Sequence, residues 1–414
     1  MKFVIFSHSV VSCWNNANAH FLRGICRELI GRGHQVSAWE PADGWSRANA
    51  MQDGGVFALK TAERLVPGLD IRCYQPETLR LDAALGGADV AIVQDCNPPE
   101  LIAAIGARRV AGGSFMLLFH DTRPRALAPA EQTGGAALER LPEKWKSGFS
   151  EKARPNKDLA RFSGRVEMEK ALQGYDGVLA CGEPVREAYL AKGWGQRVFT
   201  WHEAADTALF RPVCGQRKEM DLVWIGDWGD KARSAQRRDL LLEPIARLGL
   251  RARFHGPRYP AEVQADLIAR GIDYGGWLPD HNAPPAFARA LFTVDIPEGP
   301  RAAMLPGIRF LEALACGIPL ISTPWQDVEG LFPEGCYLTA RNGDEMTAAF
   351  ANLHCDPDLR ETLIGNGLAA IEKRHSCAIR AQELLAILGG LRGPITAAPQ
   401  KAKATGEQRL GMAL

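Results

Sequence analysis

The chain has 414 residues, of which 46% are apolar and 23% are charged, and its formal net charge is +1. This length and apolar content are enough for two domains of ordinary size, each with a hydrophobic core. The near-zero net charge excludes a global field that would attract nucleic acid or an anionic membrane.

Signals for targeting and for metal binding are missing from the sequence. No apolar run approaches the roughly 18 residues that a membrane span needs, and the apolar start turns polar at Ser7, too early for a secretory signal. The ten cysteines form no CxxC pair and no zinc-spaced cluster with histidine, and no HExxH motif occurs. We therefore predict a cytoplasmic protein without a transmembrane segment, disulfide framework or metal site. Peripheral contact with a membrane stays open.

The first half of the sequence alternates apolar strands with amphipathic helices. After the first strand we predict a helix over 17–30, with Phe21 and Leu29 on its inward face and a stop at Gly31. The continuous apolar runs are typical of strands buried on both faces of a parallel sheet. The predicted strands are 2–7, 35–39, 89–94, 115–119, 176–181 and 197–201.

The segment 122–157 interrupts this alternation. It is rich in proline, glycine, alanine and charged residues, and it is too long for an ordinary connection between a strand and a helix. It is either a mobile lid or a solvated insertion. We favour the lid, because the segment follows a strand that ends in His120 and Asp121.

From Asp221 the alternation starts again, with a strand at 222–225 and a helix that ends near Leu248. Two such halves predict an α/β fold with two doubly wound, Rossmann-like domains, 1–205 and 206–392, facing each other across a cleft. The last helix has the option of packing back on the first domain. The other predicted elements are strands at 251–255 and near Ile272 and Phe292, helices at 261–270 and within 344–391, and a disordered tail at 393–414.

The most informative segment is 306–323. It reads as a turn with Gly307, a helix of about ten residues and an apolar strand. Arg309 and Glu312 are three residues apart, so their side chains reach one region. A cation in the first turn of a helix is disfavoured unless an anion meets it, which indicates a phosphate at Arg309. A hydroxyl-bearing group beyond that phosphate would reach Glu312, as in a nucleoside diphosphate with its ribose.

A second interpretation is that Arg309 and Glu312 form an ordinary surface ion pair, which contributes less than about 1 kcal/mol to stability. The residues alone favour neither interpretation over the other. The segment resembles the donor-binding helix of glycosyltransferases with the GT-B fold, which carry an EALACGxP-like run after a glycine-containing loop. It is most similar to the CgeB-like group and, more broadly, to family-4-type enzymes. The other segments in register with this resemblance are 12–20, 32–36, 205–212 and 301–304.

The resemblance implies a metal-independent, retaining glycosyltransferase that moves a sugar from a nucleoside-diphosphate sugar to an acceptor hydroxyl. The nucleotide sugar is a substrate, and no cofactor is expected. The acceptor is a glycan, a lipid-linked glycan, a protein or a small molecule, with no role for nucleic acid. Two alternatives stay open, namely a two-domain nucleotide-sugar epimerase and a non-catalytic carbohydrate- or nucleotide-binding protein on the same scaffold.

Candidate acceptor-side and catalytic residues follow strands of the first domain, where open α/β sheets bind ligands. The loop after the first strand holds small hydroxyl and amide side chains, which bind sugars or cap helices equally well. They are Ser12, Asn15, Asn16 and Asn18. Trp14 beside them is either a platform for a sugar ring or a buried anchor. His120 and Asp121 end a later strand facing the cleft and either cap a turn or, as the resemblance implies, contact the donor sugar or acceptor hydroxyl.

On the donor side, the resemblance implies a basic residue against the diphosphate in the turn after the strand at 222–225. Arg233 is the first candidate and Lys231 the second, because a planar guanidinium binds phosphate through two nitrogens. Arg237 and Arg238 fit a solvated helix face. The full donor-side set is Lys231, Arg233, Trp277, Leu278, Arg301, Pro306, Gly307, Ile308, Arg309 and Glu312.

One position departs from the family-4-type pattern. Those enzymes often carry a second glutamate eight positions before the one on the helix, and here that position is Met304. Glu298 stands fourteen positions before Glu312 and is no direct replacement. The departure bears on the donor-sugar contact and on the retaining outcome.

Overall fold

The computed structural model describes residues 1–16, 18–122, 168–297 and 304–392. Within these ranges the chain forms two parallel sheets flanked by helices. This confirms the predicted α/β class with two doubly wound sheets. The predicted lid at 122–157, apart from Thr122, and the predicted tail at 393–414 lie outside the described residues.

The N-terminal lobe contains one sheet and the helices that cover it. Its strands are β1 (Lys2–Phe6), β2 (Gln35–Pro41), β3 (Asp70–Tyr74), β4 (Val90–Gln94), β5 (Met116–Asp121), β6 (Gly177–Ala180) and β7 (Val198–Thr200). Its helices are α1 (Asn18–Gly31), α2 (Trp45–Arg64), α3 (Leu81–Ala84), α4 (Pro99–Val110), α5 (Met168–Leu172) and α6 (Glu183–Lys192). The strand order is β3-β2-β1-β4-β5-β6-β7. Every residue of β4 is buried, as expected where helices cover both faces of a sheet.

The C-terminal lobe repeats this plan with six parallel strands. They are β8 (Met220–Ile225), β9 (Ala252–His255), β10 (Asp273–Tyr274), β11 (Ala290–Asp295), β12 (Leu320–Ser322) and β13 (Leu338–Thr339), in the order β10-β9-β8-β11-β12-β13. The helices are α7 (Lys231–Arg237), α8 (Glu243–Leu248), α9 (Ala261–Ala269), α10 (Ala283–Ala288), α11 (Ile308–Ala315), α12 (Gly343–Cys355), α13 (Pro357–Arg374) and α14 (Cys377–Arg392). A π-helical turn at Arg238–Leu242 joins α7 to α8 where the sequence predicts one continuous helix.

The chain crosses between the lobes twice. The first crossing connects β7 with β8 and contains the predicted domain boundary after residue 205, which stays a prediction. The second precedes α14, and the two are hydrogen-bonded to each other. Ala205 donates its N–H to the His375 carbonyl and accepts from the N–H of Cys377, both at 2.9 Å. From there α14 packs on α1, where Cys377 Sγ lies 3.8 Å from the carbonyl oxygen of Phe21.

The contact between α1 and α14 depends on a glycine. A Cβ atom on Gly24 would lie 2.5 Å from Sγ of Cys377 and 2.9 Å from Cβ of Asp206. We expect Gly24→Ala to lower the free energy of unfolding by about 1–3 kcal/mol, because overpacking outweighs the better helix propensity of alanine. Gly31→Ala is the control in the same helix, since its Cβ would meet nothing within 4 Å. Urea denaturation measures both, and equal stabilities of the two variants would contradict the close packing.

His375, at the second crossing, makes stability depend on pH. Its ring stacks on Phe332 with centroids 4.3 Å apart, and Nε2 donates to the Leu331 carbonyl at 2.9 Å. Burial lowers the pKa of His375 from 6.5 to about 4. Between these two pH values the unfolded chain takes up a proton that the folded protein does not, so stability is lost as the pH falls through this window.

We therefore expect the wild type to lose roughly 3 kcal/mol more stability between pH 7 and pH 4 than the His375→Gln variant. Glutamine keeps a donor near the position of Nε2 but does not titrate. Urea denaturation at a series of pH values gives the two curves. Parallel curves would show that His375 does not carry this dependence.

Candidate functional site

Both sheets reverse their strand order at one point, and open α/β sheets bind ligands in the crevice at such a point. The reversal falls between β1 and β4 in one lobe and between β8 and β11 in the other. Three of the segments that leave these strands are the 7–16 loop, the 226–230 turn and the segment before α11, of which 304–307 are described next to the helix. The loop and the start of α11 come from different lobes, so a ligand that touches both lies between the lobes.

The start of α11 faces the N-terminal lobe. Its N-cap residue, Gly307, has no side chain to accept a hydrogen bond from the first N–H groups of the helix. Leu305 just before it packs on the other lobe, since a Cβ atom on Gly182 would lie 2.6 Å from the Leu305 side chain. Around this turn Pro306 and Ile308 are buried, whereas Gly307 and Arg309 are half-buried. The first turn of α11 is therefore neither sealed in the core nor turned to bulk solvent.

A buried carboxylate connects Arg309 to the opposite lobe. Arg309 donates from Nη1 to Oε2 of Glu312 at 2.5 Å, and Nδ1 of His20 on α1 lies 2.7 Å from Oε1. Burial acts to lower the pKa of the Arg309 guanidinium. The carboxylates of Glu312 and Asp280 have the larger opposite effect, so the pKa is raised overall. Because the Arg309 side chain is still 24% exposed, part of this cation remains open to a ligand.

This geometry corrects the expected contact of Glu312. We predicted that its carboxylate reaches a ribose hydroxyl, but the side chain of Glu312 has no exposed surface. Its two oxygens face His20 and Arg309 instead. In this conformation Glu312 therefore orients the arginine, and its role in donor binding stays a prediction.

A second ion pair crosses between the lobes beside the first. Arg23 of α1 pairs with Asp280 of the C-terminal lobe, and each side chain is 2% exposed. Arg23 also donates to the Val10 carbonyl at 2.6 Å, and the amide of Asp280 donates to Sγ of Cys13 at 3.3 Å. Burial acts to raise the pKa of Asp280, but the Arg23 guanidinium lowers it overall, so the pair is charged.

Residues 236–386 match a family model described as Glycosyl transferase-like. The matched residues make up most of the C-terminal lobe. This match and the shared fold confirm the predicted GT-B glycosyltransferase, whereas the CgeB-like and family-4-type assignments stay predictions. No protein of curated function matches the sequence.

Solved structures share the fold over nearly the whole chain. Sucrose-phosphate synthase from Thermosynechococcus elongatus is 14% identical with a TM-score of 0.60, covering 94% of this chain and 99% of its own. Anabaena HepE, solved with UDP-glucose, is 14% identical with a TM-score of 0.62, covering 94% and 100%. A glycosyltransferase from Rickettsia africae is 9% identical with a TM-score of 0.58, covering 94% and 98%. At these identities the likeness establishes the fold.

In the C-terminal lobe, Lys231 and Arg233 lie in the first turn of α7. Lys231 is exposed, and the Arg233 side chain, 38% exposed, lies 3.5 Å from the carboxylate of Asp230. Asp230 caps α7 by accepting the N–H of Arg233 at 3.0 Å. A carboxylate thus already occupies this helix start, unlike the start of α11, which weakens the case for a diphosphate contact by the α7 amides.

The predicted place of Arg237 on a solvated helix face is wrong. Its side chain is 1% exposed, donates to the Arg233 carbonyl at 3.2 Å and lies over the ring of Trp224 at 5.6 Å. Burial lowers the pKa of its guanidinium to about 10. The guanidinium of Arg237 is covered by an aromatic ring, whereas the sequence analysis expected it to face water.

The remaining donor-side residues are spread along the crevice. Trp277 and Leu278 are half-buried, and Trp277 touches α2, since a Cβ atom on Gly54 would lie 3.0 Å from its ring. Met304, at the position of the missing glutamate, is half-buried and packs against the core. Arg301 lies outside the described residues, so its predicted contact stays a prediction.

Trp14 is an anchor between the lobes. Its Nε1 donates to Asp53 at 2.6 Å. Arg258 of the C-terminal lobe donates to the same carboxylate at 2.9 Å and lies over the Trp14 ring at 5.2 Å. Because the tryptophan is 5% exposed, its ring is not available to a sugar in this conformation.

The acceptor-side candidates divide into loop-holding and accessible residues. Ser12 donates to the Ser46 carbonyl at 2.8 Å, and Asn16 donates to the Ser12 carbonyl at 2.9 Å, so both hold the 7–16 loop. Asn15 is exposed with a φ of 44°, and Asn18 is half-buried at the first position of α1. Of these four residues, only Asn15 and Asn18 present polar groups to a ligand.

Sequence reasoning missed Glu40, which fixes the 7–16 loop from the end of β2. This fully buried carboxylate accepts from Oγ of Ser9 at 3.0 Å and from the N–H of Val10 at 2.7 Å. Arg47 donates to its other oxygen at 2.8 Å. An isolated acidic residue that ends an apolar strand was the available signal.

His120 and Asp121 end β5 as predicted but do not line an open cleft. They are 1% and 0% exposed. The His120 ring packs on Trp201 at 4.8 Å, and its Nδ1 lies 3.3 Å from Nε2 of Gln94. The strand end carries these side chains into the N-terminal core, and their catalytic role stays a prediction.

Two further predictions concern metal and membrane. Among the residues that the structure describes, no three His, Cys, Asp or Glu side chains come together to hold a metal ion, and metal independence stays a prediction. None of the described helices combines the length and the apolar character that crossing a bilayer requires.

Proposed function

We propose that this protein transfers a sugar from a nucleoside-diphosphate sugar to an acceptor hydroxyl. The observation that carries the proposal is Arg309, a partly exposed cation in the first turn of α11, held at the inter-lobe crevice by a buried carboxylate. The match of residues 236–386 to a glycosyl transferase-like family supports glycosyl transfer. The structure of HepE with UDP-glucose supports a related nucleotide sugar as the donor.

The departing diphosphate needs positive charge that is in place before the bond breaks. The N–H groups at the start of α11 and the Arg309 guanidinium supply it together, and Arg233 adds a second cation from the neighbouring strand end. With these groups in place we propose a metal-independent transfer that retains the configuration at the anomeric carbon. A rate unchanged by EDTA, and a product with the donor's configuration by proton NMR, would support both points.

The contacts between the lobes stabilise a closed state, which an activated sugar donor requires for protection from water. With Arg23 on Asp280 and His20 on Glu312, water is kept away from the activated sugar, which limits hydrolysis. The acceptor hydroxyl then enters from the 7–16 loop, where Asn15 and Asn18 are accessible. It belongs to a glycan, a lipid-linked glycan, a protein or a small molecule, and the reaction takes place in the cytoplasm.

The test is a thermal-shift screen of the wild type and of Arg309→Ala against UDP, GDP, dTDP and ADP sugars. A selective donor should raise the melting temperature of the wild type by mass action and leave the variant almost unchanged. The selected donor, given with a pool of acceptors from a cell extract, should release nucleoside diphosphate. Isomerised donor without any acceptor would identify an epimerase, and binding without release would identify a non-catalytic protein. No shift with any donor would contradict the proposal.

A further inference from the structure

We propose that His20 is a positioning residue that couples closure of the two lobes to the orientation of Arg309. The inference rests on the proposed function, because it places His20 behind the donor diphosphate site. His20 touches neither donor nor acceptor in this account. It acts through Glu312.

The polar contact of His20 is directed across the crevice. Its Nδ1 lies 2.7 Å from Oε1 of Glu312, at ion-pair distance, but among the described residues neither ring nitrogen makes a hydrogen bond. The ring otherwise packs on Phe210 with centroids 4.6 Å apart. The described part of the N-terminal lobe therefore gives His20 no hydrogen bond, and its polar contact exists only while α1 lies against α11.

Glu312 passes this contact on to the donor site. Its carboxylate is planar and fully buried, with Oε1 towards His20 and Oε2 towards Nη1 of Arg309. A close polar contact at one oxygen restrains the plane of the carboxylate and so the direction of the other oxygen. Arg309 needs such support, because an exposed arginine samples many rotamers and loses entropy when it binds.

The charges around His20 favour one closed arrangement. Arg23 and Asp280 form a buried pair between the two lobes, and Arg309 and Glu312 form a pair within α11 of the C-terminal lobe. Two cations and two carboxylates balance without a ligand. When the lobes separate, Glu312 and Asp280 lose their partners from α1. The support that Arg309 receives from α1 through Glu312 therefore exists only in the closed state, in which the leaving group departs.

The experiment compares His20→Leu and His20→Asn in the full-length protein with the donor selected above. Loss of a close polar contact to a charged group predicts a decrease in kcat of about 10- to 100-fold for His20→Leu. Calorimetric affinity for the nucleoside diphosphate should stay close to that of the wild type, because the open C-terminal lobe still carries Arg309. Asparagine places a donor near the position of Nδ1 and should restore most of the rate, whereas His20→Gln, with its donor near Nε2, should not.

A double-mutant cycle tests the route through Glu312. In a Glu312→Gln background the further change His20→Leu should have little additional effect on kcat. Wild-type kcat in His20→Leu, equal rates of His20→Asn and His20→Gln, or an undiminished effect in the Glu312→Gln background would each overturn the inference while the transferase stands. Failure of the wild type to transfer sugar from any donor would instead overturn the proposed function, and the inference with it. Should His20→Leu not fold, the asparagine and glutamine variants decide.

Discussion

Replacing Arg309 with alanine is expected to lower kcat/KM for the donor by about 100- to 1,000-fold, the usual effect of removing one preorganised group that stabilises charge in a transition state. Arg309 is a partly exposed cation of the crevice and is held by Glu312 at 2.5 Å. Arg309→Lys should recover only part of the loss, because an ammonium group lacks the planar geometry that binds phosphate through two nitrogens. Steady-state kinetics with varied donor concentration give the three values.

The matched control is Arg341→Ala. Arg341 also pairs with a glutamate on the same lobe, Glu345, but its side chain is 74% exposed and far from α11 in sequence. A surface pair contributes less than about 1 kcal/mol, so this variant should keep wild-type kinetics. Equal losses in the two alanine variants would point to a general effect on the lobe, and wild-type kinetics in Arg309→Ala would remove Arg309 from the site.

Replacing Asp280 with alanine is expected to cost about 3–5 kcal/mol of stability, because it leaves the Arg23 guanidinium buried without its counter-charge. Arg23 and Asp280 are each 2% exposed and belong to different lobes. The variant should therefore unfold at lower urea and should also hold its lobes together less tightly. Urea denaturation followed by tryptophan fluorescence measures the first effect, and small-angle X-ray scattering measures the second.

An apolar replacement of the whole pair separates stability from charge. The double variant Arg23→Met, Asp280→Leu should recover most of the lost stability, since two apolar side chains leave no buried charge. If the stability lost in the double variant equalled the sum of the losses in Arg23→Met alone and Asp280→Leu alone, the two residues would act independently, in conflict with their contact.

The strands could be predicted because a parallel sheet covered on both faces requires continuous apolar runs. The run at 89–94 became β4 and the run at 222–225 became β8, with ends shifted by one or two residues. β3 was missed for the converse reason. It lies at the sheet edge, three of its five residues are exposed, and its sequence has no apolar run.

The site could be predicted only as far as its contacts are local. Arg309 and Glu312 are one helical turn apart, so the sequence indicated both their proximity and the charge at the helix start. His20 and Asp280 are distant in sequence, and only the packing of α1 against the C-terminal lobe brings them to this pair. Arg23, which shares the apolar face of α1, was a usable signal, because a charged residue on such a face needs a buried partner.

A crystal structure of the wild type with the nucleoside diphosphate selected by the thermal-shift screen tests the central claim most directly. We expect phosphate oxygens within hydrogen-bonding distance of the Arg309 guanidinium and of the N–H groups in the first turn of α11, between the two lobes. A diphosphate bound elsewhere, with Arg309 still directed only at Glu312, would contradict the account.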